Sequence, residues 1–283
     1  MVLKAISEIS QIATLPEVTL KIIKLVEDPN STAQDLNKVI TNDPALGARI
    51  LKVVNSAFYG LPGQIGSINR AIVLLGLNAV KNIAIAASLS KLFRGGQICS
   101  SFNAKDLWMH SIAVGTSTRL LAEKAGLGLP DEAFLAGLIH DLGIMVEIQA
   151  CRTKFVEAIT VMDSNPGMLM RQAETQVLGA HHEEFGAALC KAWKFPASFA
   201  YVTGFHHRPL DVAPQNRTLT SLVHIADIIS ADLEHGFSKD LESRDINPVL
   251  LDQLNITMAQ VQEVAAALPH AMEEAINLLQ DVA

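Results

Sequence analysis

An all-α fold is predicted by two features of this sequence. Apolar residues recur at helical spacing in one segment after another, and helix-start and helix-stop residues punctuate the chain at short intervals. A third feature is negative: no stretch alternates polar and apolar residues with period two for long, so strands are not expected. Pro16 follows Leu15 and opens a segment in which Leu20, Ile23 and Val26 share a face, ending near Asp28 and Pro29. Ser31 with Gln34 reads as a capping box ahead of Leu36, Val39 and Ile40. Asp43 and Pro44 form an N-cap and first-turn pair leading into Leu46, Ile50, Leu51 and Val54. Tyr59 and Gly60 through Gly66 make the first clear loop. Ser67 caps the next helix, Leu77 and Asn78 begin another, and Gly95 and Gly96 close this half.

From Asn103 the helices lengthen. Asn103 caps a run carrying Leu107, Ile112, Val114, Leu120 and Leu121, stopped by Gly126 and Gly128. Asp131 begins the next, which carries Phe134, Leu135, Leu138, Leu142 and Val146. Later segments open after Pro166, near Gly179, after Pro196 and near Thr218, with stops at Pro209 and Gly236. Thr257 and Gln260 form a second capping box before a C-terminal helix that Pro269 should bend or break. No 34- or 40-residue tandem repeat is visible, so a solenoid is not expected.

Composition narrows the classes of function. With 283 residues, 49% hydrophobic and 18% charged, the chain can bury a large core and is not predominantly disordered. The apolar tract from Ala71 to Leu92 is interrupted by Asn78, Lys81 and Asn82, so no membrane span is expected. Lys4, Glu8 and Gln11 stand where a secretory signal needs a continuous apolar run. Cys99, Cys151 and Cys190 lack paired spacing, lie among apolar neighbours and suit buried thiols in a reducing cytoplasm. The net charge of −7 argues against direct nucleic-acid binding. It is unevenly divided: residues 1–105 hold eleven basic and six acidic residues, and residues 106–283 hold eleven and twenty-three. The two parts either attract each other, or Lys21, Lys24, Lys38, Arg49 and Lys52 form an anion-facing surface.

Polar residues in apolar surroundings carry the functional signal. His140 and Asp141 sit in Ala136-Gly137-Leu138-Ile139-His140-Asp141-Leu142-Gly143-Ile144-Met145-Val146, where a buried carboxylate is costly without a partner. A divalent metal would compensate it, and so would a structural hydrogen bond to a neighbouring helix. His110 lies in an apolar helix with Asp106 one turn earlier. His181 and His182, His206 and His207, and Asp227 with His224 a turn before it complete the set. A paired His before Pro can complement a helix dipole, and an Asp among Ile residues can be a packing bond. Five separate apolar helices each donating His or Asp point more strongly to a shared site. Trp108 and Trp193 either shield that site or fill core. Asn55 either grips a ligand or bonds exposed backbone at a helix end.

The order His110, His140-Asp141, His182, His206-His207, Asp227 resembles the HD-domain superfamily of metal-dependent phosphohydrolases and its HD-GYP branch. The HDOD family, the HD-related output domains, is closer still. Its N-terminal pattern is similar to Leu15-Pro16, Ile40-Thr41-Asn42-Asp43-Pro44-Ala45-Leu46 and Val54-Asn55-Ser56-Ala57-Phe58-Tyr59-Gly60. Its middle resembles Ile68-Asn69-Arg70-Ala71-Ile72 and Leu75-Gly76. Its later signature resembles Leu107-Trp108-Met109-His110-Ser111, His182-Glu183-Glu184-Phe185-Gly186-Ala187, Trp193-Lys194-Phe195-Pro196 and His206-His207-Arg208-Pro209. The resemblance covers about residues 10 to 235. It implies an N-terminal helical bundle (1–100) packed on an HD-like helical core with C-terminal helices (101–283).

The same resemblance implies a set of ligands. His110, His140, Asp141 and Asp227 match the mononuclear HD set, while His182, His206 and His207 match the ligands that admit a second ion. One or two divalent ions, Fe, Mn, Ni or Zn, are expected. The chain departs from the active enzymes at two places. Ile144 stands where many carry Lys after His-Asp-x-Gly, and the Gly-Tyr-Pro motif is absent. A cytoplasmic regulatory module that works by binding a signalling protein is therefore expected. The alternatives are a phosphohydrolase acting on a cyclic dinucleotide or another phosphorylated small molecule, and a nucleotide-sensing module without catalysis.

Overall fold

Helix starts follow their capping side chains through most of the chain. The computed structural model describes residues 17–89, 92–93, 96–237, 239–241 and 243–279. Leu15, Pro16 and Gly95, which the sequence reading used, lie outside these residues, as do Lys4, Glu8 and Gln11. Helix α1 spans Glu17–Glu27, α2 Ala33–Thr41, α3 Pro44–Val54, α4 Ile68–Leu75 and α5 Leu77–Leu89. Asp43 accepts from the Leu46 amide to cap α3, and Ser67 accepts from the Arg70 amide to cap α4, as expected.

The capping box of α2 is one residue later than the sequence reading placed it. Thr32, not Ser31, caps the helix, and Asp35, not Gln34, closes the box. Ser31 instead donates to the Leu25 carbonyl at 2.8 Å and accepts from Lys81 Nζ at 2.7 Å. Lys81, only 2% exposed, also donates to the Leu25 carbonyl at 2.5 Å. These bonds satisfy the C-terminal end of α1 from α5, on which α1 and α3 pack.

Asn55 takes the structural role. Its Nδ2 donates to the Leu51 and Ile65 carbonyls, both at 2.8 Å, and its Oδ1 accepts from the Ile65 amide at 2.6 Å. The loop from α3 to α4 is thereby folded back on the helix end. That loop delivers Phe58 and Tyr59 to the second half of the chain. There α6 spans Ala104–Lys124 and α7 Pro130–Ile139. Tyr59 Oη donates to Asp131 Oδ1 at 2.6 Å, and Arg119 reaches the same oxygen at 3.3 Å while lying over the Phe58 ring at 4.1 Å.

The remaining helices are α8 Leu142–Ala150, α9 Arg152–Ser164, α10 Met170–Leu178, α11 His182–Ala192, α12 Ala197–Phe205, α13 Thr218–Asp232, α14 Pro248–Leu254 and α15 Met258–Leu279. Helix α6 is the axis of this half, with α7, α13 and α15 packed on it. Helix α11 packs on α8 and α12, and α9 on α10. The 130–150 stretch is apolar and long enough to cross a membrane by composition alone, which the sequence reading had looked for only at Ala71 to Leu92. It is 89% buried, and it is broken between His140 and Asp141 into two core helices.

Two further expectations are corrected. A short antiparallel hairpin joins Gln97–Cys99 (β1) to Phe102–Asn103 (β2), too brief to leave an alternating pattern in the sequence. The C-terminal helix also runs through Pro269 without a break. Val261, Val264, Leu268, Met272 and Ala275 are all buried along one stripe, and packing against α6 outweighs the hydrogen bond that Pro269 removes. Trp108 is buried with its ring 4.6 Å from that of Phe93 and fills core, whereas Trp193 is half-buried and packs at the core's edge, 6.4 Å from the Phe195 ring. Cys190 is buried, whereas Cys99 and Cys151 are half-buried, and all three are free thiols.

Tyr59→Phe removes a bond to an ionised partner that ties the two halves together. It should cost about 2 kcal/mol in denaturant unfolding, and an unchanged midpoint and slope would contradict the role given to this contact.

Candidate metal centre

Glycines set the distances at the centre. Where α6 crosses α7, a Cβ on Gly137 would lie 2.7 Å from Gly115 Cα, closer than any side chain can sit. The two backbones therefore touch, and His110, on α6, meets His140, three residues past Gly137, with ring centroids 5.2 Å apart. Where α8 meets the start of α11, a Cβ on Gly143 would lie 1.8 Å from the His182 carbonyl oxygen. That contact sets Asp141, two residues earlier, beside His182. At Gly236, whose φ is +82°, a Cβ would lie 2.4 Å from the Asp106 carbonyl oxygen. The chain beyond it then carries Asp240 to the far side of the site.

All seven residues selected from the sequence converge. His110 Nε2 lies 3.2 Å from Asp227 Oδ1 and 4.0 Å from Asp141 Oδ2, and His140 Nε2 lies 3.2 Å from that same Asp141 oxygen. On the other side, His206 Nε2 is 3.4 Å and His182 Nε2 3.9 Å from Asp141 Oδ1. His207 Nδ1 lies 3.8 Å from Asp227 Oδ2, and His207 Nε2 lies 3.2 Å from His182 Nε2. Asp141 thus turns one oxygen to each of two ligand groups, while Asp227 turns one oxygen to His110 and the other to the Nδ1 side of His207. His110, His140 and Asp141 form the first group, and His182, His206, His207 and Asp240 the second.

Asp240 was missed by the sequence reading. It lies 3.7 Å from His207 Nε2 and is fully buried, yet it sits in an irregular segment where no periodicity marks an acid as misplaced. Three residues named alongside the ligands fall outside the centre, among them His224, whose Nδ1 bonds the His206 carbonyl at 2.7 Å. Asp106 is exposed and contributes its backbone carbonyl to the Phe237 amide. His181 precedes α11 and pairs with Glu183 and Glu184, each at 3.7 Å.

The outward ring nitrogens are held, which aims the inward ones. His140 Nδ1 bonds the Gly137 carbonyl at 2.7 Å, His206 Nδ1 the Val202 carbonyl at 3.2 Å, and His182 Nδ1 the Glu174 carboxylate at 2.8 Å. A ring that donates from Nδ1 presents a lone pair at Nε2, the arrangement of a metal-binding imidazole with its supporting partner. Glu174, also unmarked in the sequence reading, accepts from the His182 amide as well, at 3.1 Å. Glu147 lies behind it. Burial, with the charge of Glu174, pushes the Glu147 carboxyl well above the usual range, so it is the protonated member of the pair.

The central atoms have no hydrogen bonds to use. Among the described residues, His140 Nε2, His206 Nε2 and both oxygens of Asp141, Asp227 and Asp240 are buried without a hydrogen-bond partner. Such groups are expensive to leave unpaired. Metal–nitrogen and metal–oxygen bonds of about 2.1 Å place neighbouring ligand atoms roughly 3.0–3.4 Å apart. The closest separations here are in that range, so the residues fit a divalent ion in each group. Mixed imidazole and carboxylate donors accept several first-row metals, and metal identity is not encoded by them.

Charge at the centre follows from the same geometry. Burial works against ionising Asp141, but His140, His206 and His182 around it hold its carboxyl well below the usual range. Burial likewise opposes the charge on Asp227, and His110 more than offsets it. Burial together with Asp141 and Asp227 pushes Asp240 well above the usual range. Burial would lower His140 and His182, yet Asp141 raises the first to about 9 and Glu174 the second to about 10. His207 is held well below its usual value by burial and by its histidine neighbours. Without a cation the carboxylates recruit protons onto His140 and His182, and a bound divalent ion would replace those protons.

An all-helical fold that gathers His and Asp from separate helices around a buried centre defines an HD-type domain. Residues 12–209 match the HDOD domain, and the chain belongs to the HDOD family. It is similar to an HDOD domain protein of unknown function from Geobacter sulfurreducens, 23% identical, with 98% of this chain and 97% of that one covered at a TM-score of 0.79. A candidate phosphohydrolase from Shewanella amazonensis is 22% identical over 97% of this chain and 98% of that one, with a TM-score of 0.73. A candidate signal transduction protein from Marinobacter aquaeolei has a TM-score of 0.75 at 23% identity, covering 96% of this chain and 60% of that one. At these identities the likeness is one of fold. An uncharacterized protein of Treponema pallidum is 26% identical over 221 residues, which is 78% of this chain and 42% of that one. The chain thus spans less than half the length of that curated relative.

Gly143→Ala drives a methyl into the His182 carbonyl and should cost about 3 kcal/mol or more. It should also lower metal retention, and a variant with unaltered stability and metal content would contradict the close approach. A second expectation concerns pH. His140 and His182 have folded pKa values above the unfolded value, so their stabilisation is complete below about pH 6.5 and is lost as pH rises through 9 to 10. Chelator-treated protein should therefore melt about 5 °C or more lower at pH 9 than at pH 6.5. Metal-loaded protein should show less of this decline, and parallel curves would refute the assignment of those protons.

Proposed function

We propose that this chain is a regulatory HDOD module in which a divalent ion, or a pair of them, staples the helices of the second half and a signalling protein reads the resulting surface. The observation that carries this reading is enclosure. His110, His140, Asp141, His182, His206, Asp227 and Asp240 are at most 1% exposed, and His207 is 8% exposed. A site built for turnover needs donors free to meet substrate charge. Here Ile144 is buried and apolar where many active relatives of the superfamily carry Lys.

His110, His140, Asp141 and Asp227 would hold the first ion, and His182, His206, His207 and Asp240 the second, with Asp141 placed to serve both. Such an ion supplies cross-linking between helices and, where substrate can reach it, Lewis acidity toward a phosphoryl oxygen. The position of Asp141, with one oxygen toward each ligand group, favours a second reading, a metal-dependent phosphohydrolase.

The two readings differ in a direct assay. Protein purified without chelator should hold one or two equivalents of transition metal. Stripping it should lower the melting temperature by about 5 °C, since a ligand bound only to the native state must stabilise it. Generic phosphodiesters with added Mn or Fe should show no turnover above that of Asp141→Ala. Metal-dependent turnover abolished by Asp141→Ala would replace the regulatory reading with the enzymatic one. A chain that holds no metal and melts identically with and without chelator would remove the staple.

A further inference from the structure

A cavity of about 220 Å³ lies beside the centre, bordered by His207, whose side chain is itself only 1% exposed. A single water needs only roughly 10–15 Å³ on this measure, so the space suits a small organic molecule. Arg208, Leu210, His224, Asn247 and Leu250 stand around it. The walls contributed by His224, Asn247 and Leu250 lie beyond residues 12–209, the part matched to the family, so the character of this cavity belongs to this chain.

Hydrogen-bonding capacity left over at the walls defines what fits. Arg208 is 36% exposed, and its pairing with Asp211 is a surface contact, since that carboxylate is 55% exposed. A better-placed anion can displace Asp211 without leaving a buried charge unpaired. Glu183, the other carboxylate on Arg208, keeps Arg171 at 3.1 Å. Asn247 uses its Oδ1 on the Val249 amide at 3.0 Å, which leaves its Nδ2 hydrogens as donors. His224 donates from Nδ1 to the His206 carbonyl at 2.7 Å, so its Nε2 is an acceptor and calls for a hydroxyl. Leu210 and Leu250 supply an apolar wall.

We propose that this cavity binds a small hydroxyl-bearing phosphate ester. The phosphate lies against Arg208 and Asn247, a hydroxyl meets His224 Nε2, and the carbon skeleton rests on Leu210 and Leu250. Arg208 supplies paired donors suited to phosphate oxygens, and Asn247 adds donors from a separate element, a combination that suits a tetrahedral anion better than a planar carboxylate. The site requires no turnover.

Isothermal titration of the full chain with ribose 5-phosphate, adenosine 5′-monophosphate, inorganic phosphate, ribose and citrate tests this, each run with metal-loaded and with chelator-treated protein. The two phosphate esters should bind, inorganic phosphate more weakly, and ribose and citrate not measurably. Arg208→Met, which removes the cation, and Leu210→Trp, which fills the cavity from a position 44% exposed, should each weaken ester binding at least tenfold while metal content stays at the wild-type value. Leu210→Trp keeps the test decisive if Arg208→Met folds poorly. Ester binding should persist in chelator, which separates this site from the metal reading. The proposal is overturned if neither ester binds, if citrate binds as tightly, or if binding needs metal and ignores both substitutions.

Discussion

Asp141 and Asp227 have almost no contact with water and no hydrogen bond to any described residue, and each faces a cage of imidazoles. Isolated carboxylates in such a place would neutralise themselves or unfold the domain. The surrounding architecture is arranged to prevent that. Five helix ends or faces present His110, His140, His182, His206, His207 and Asp227, and backbone carbonyls or Glu174 hold three of the rings so that Nε2 points inward. Close helix crossings at Gly115, Gly137 and Gly143 bring those helices within reach of one another. The glycines and the carboxylates are therefore one design. The first permit the distance, and the second make that distance worth holding only when positive charge is present.

This arrangement also accounts for the division of the chain. The N-terminal helices contribute no ligand to either group. They touch the ligand-bearing half through α5, which packs on α7, and through Phe58 and Tyr59, which engage Arg119 on α6 and Asp131 at the start of α7. Helix α7 ends at His140. Helix α7 therefore has the Asp131 contact with the N-terminal helices at one end and His140 at the other.

Much of this was legible in the sequence because burial makes misplaced polarity conspicuous. Asp141 and Asp227 stood out as acids among Leu and Ile, and His110, His182, His206 and His207 as imidazoles in apolar helices. Glu147, within Ile144-Met145-Val146-Glu147-Ile148, carried the same signal and was passed over. Asp240 carried none, since it lies in an irregular segment whose path is set by Gly236 on the Asp106 carbonyl, a contact with no local signature. The break between His140 and Asp141 was equally hidden, because both flanking segments are apolar and helical by pattern. Ser31 and Thr32 are both good caps, and only the buried Lys81, arriving from fifty residues away, decides which one caps α2. Pro269 shows the opposite balance, where a strong local signal yields to a buried stripe along α15.

Anomalous diffraction from crystals grown with Mn²⁺ examines the central claim most directly. The account predicts an anomalous peak among His110, His140, Asp141 and Asp227, and a second among His182, His206, His207 and Asp240 at full loading. Featureless anomalous maps, with the imidazoles turned to bond the carboxylates among themselves, would contradict it.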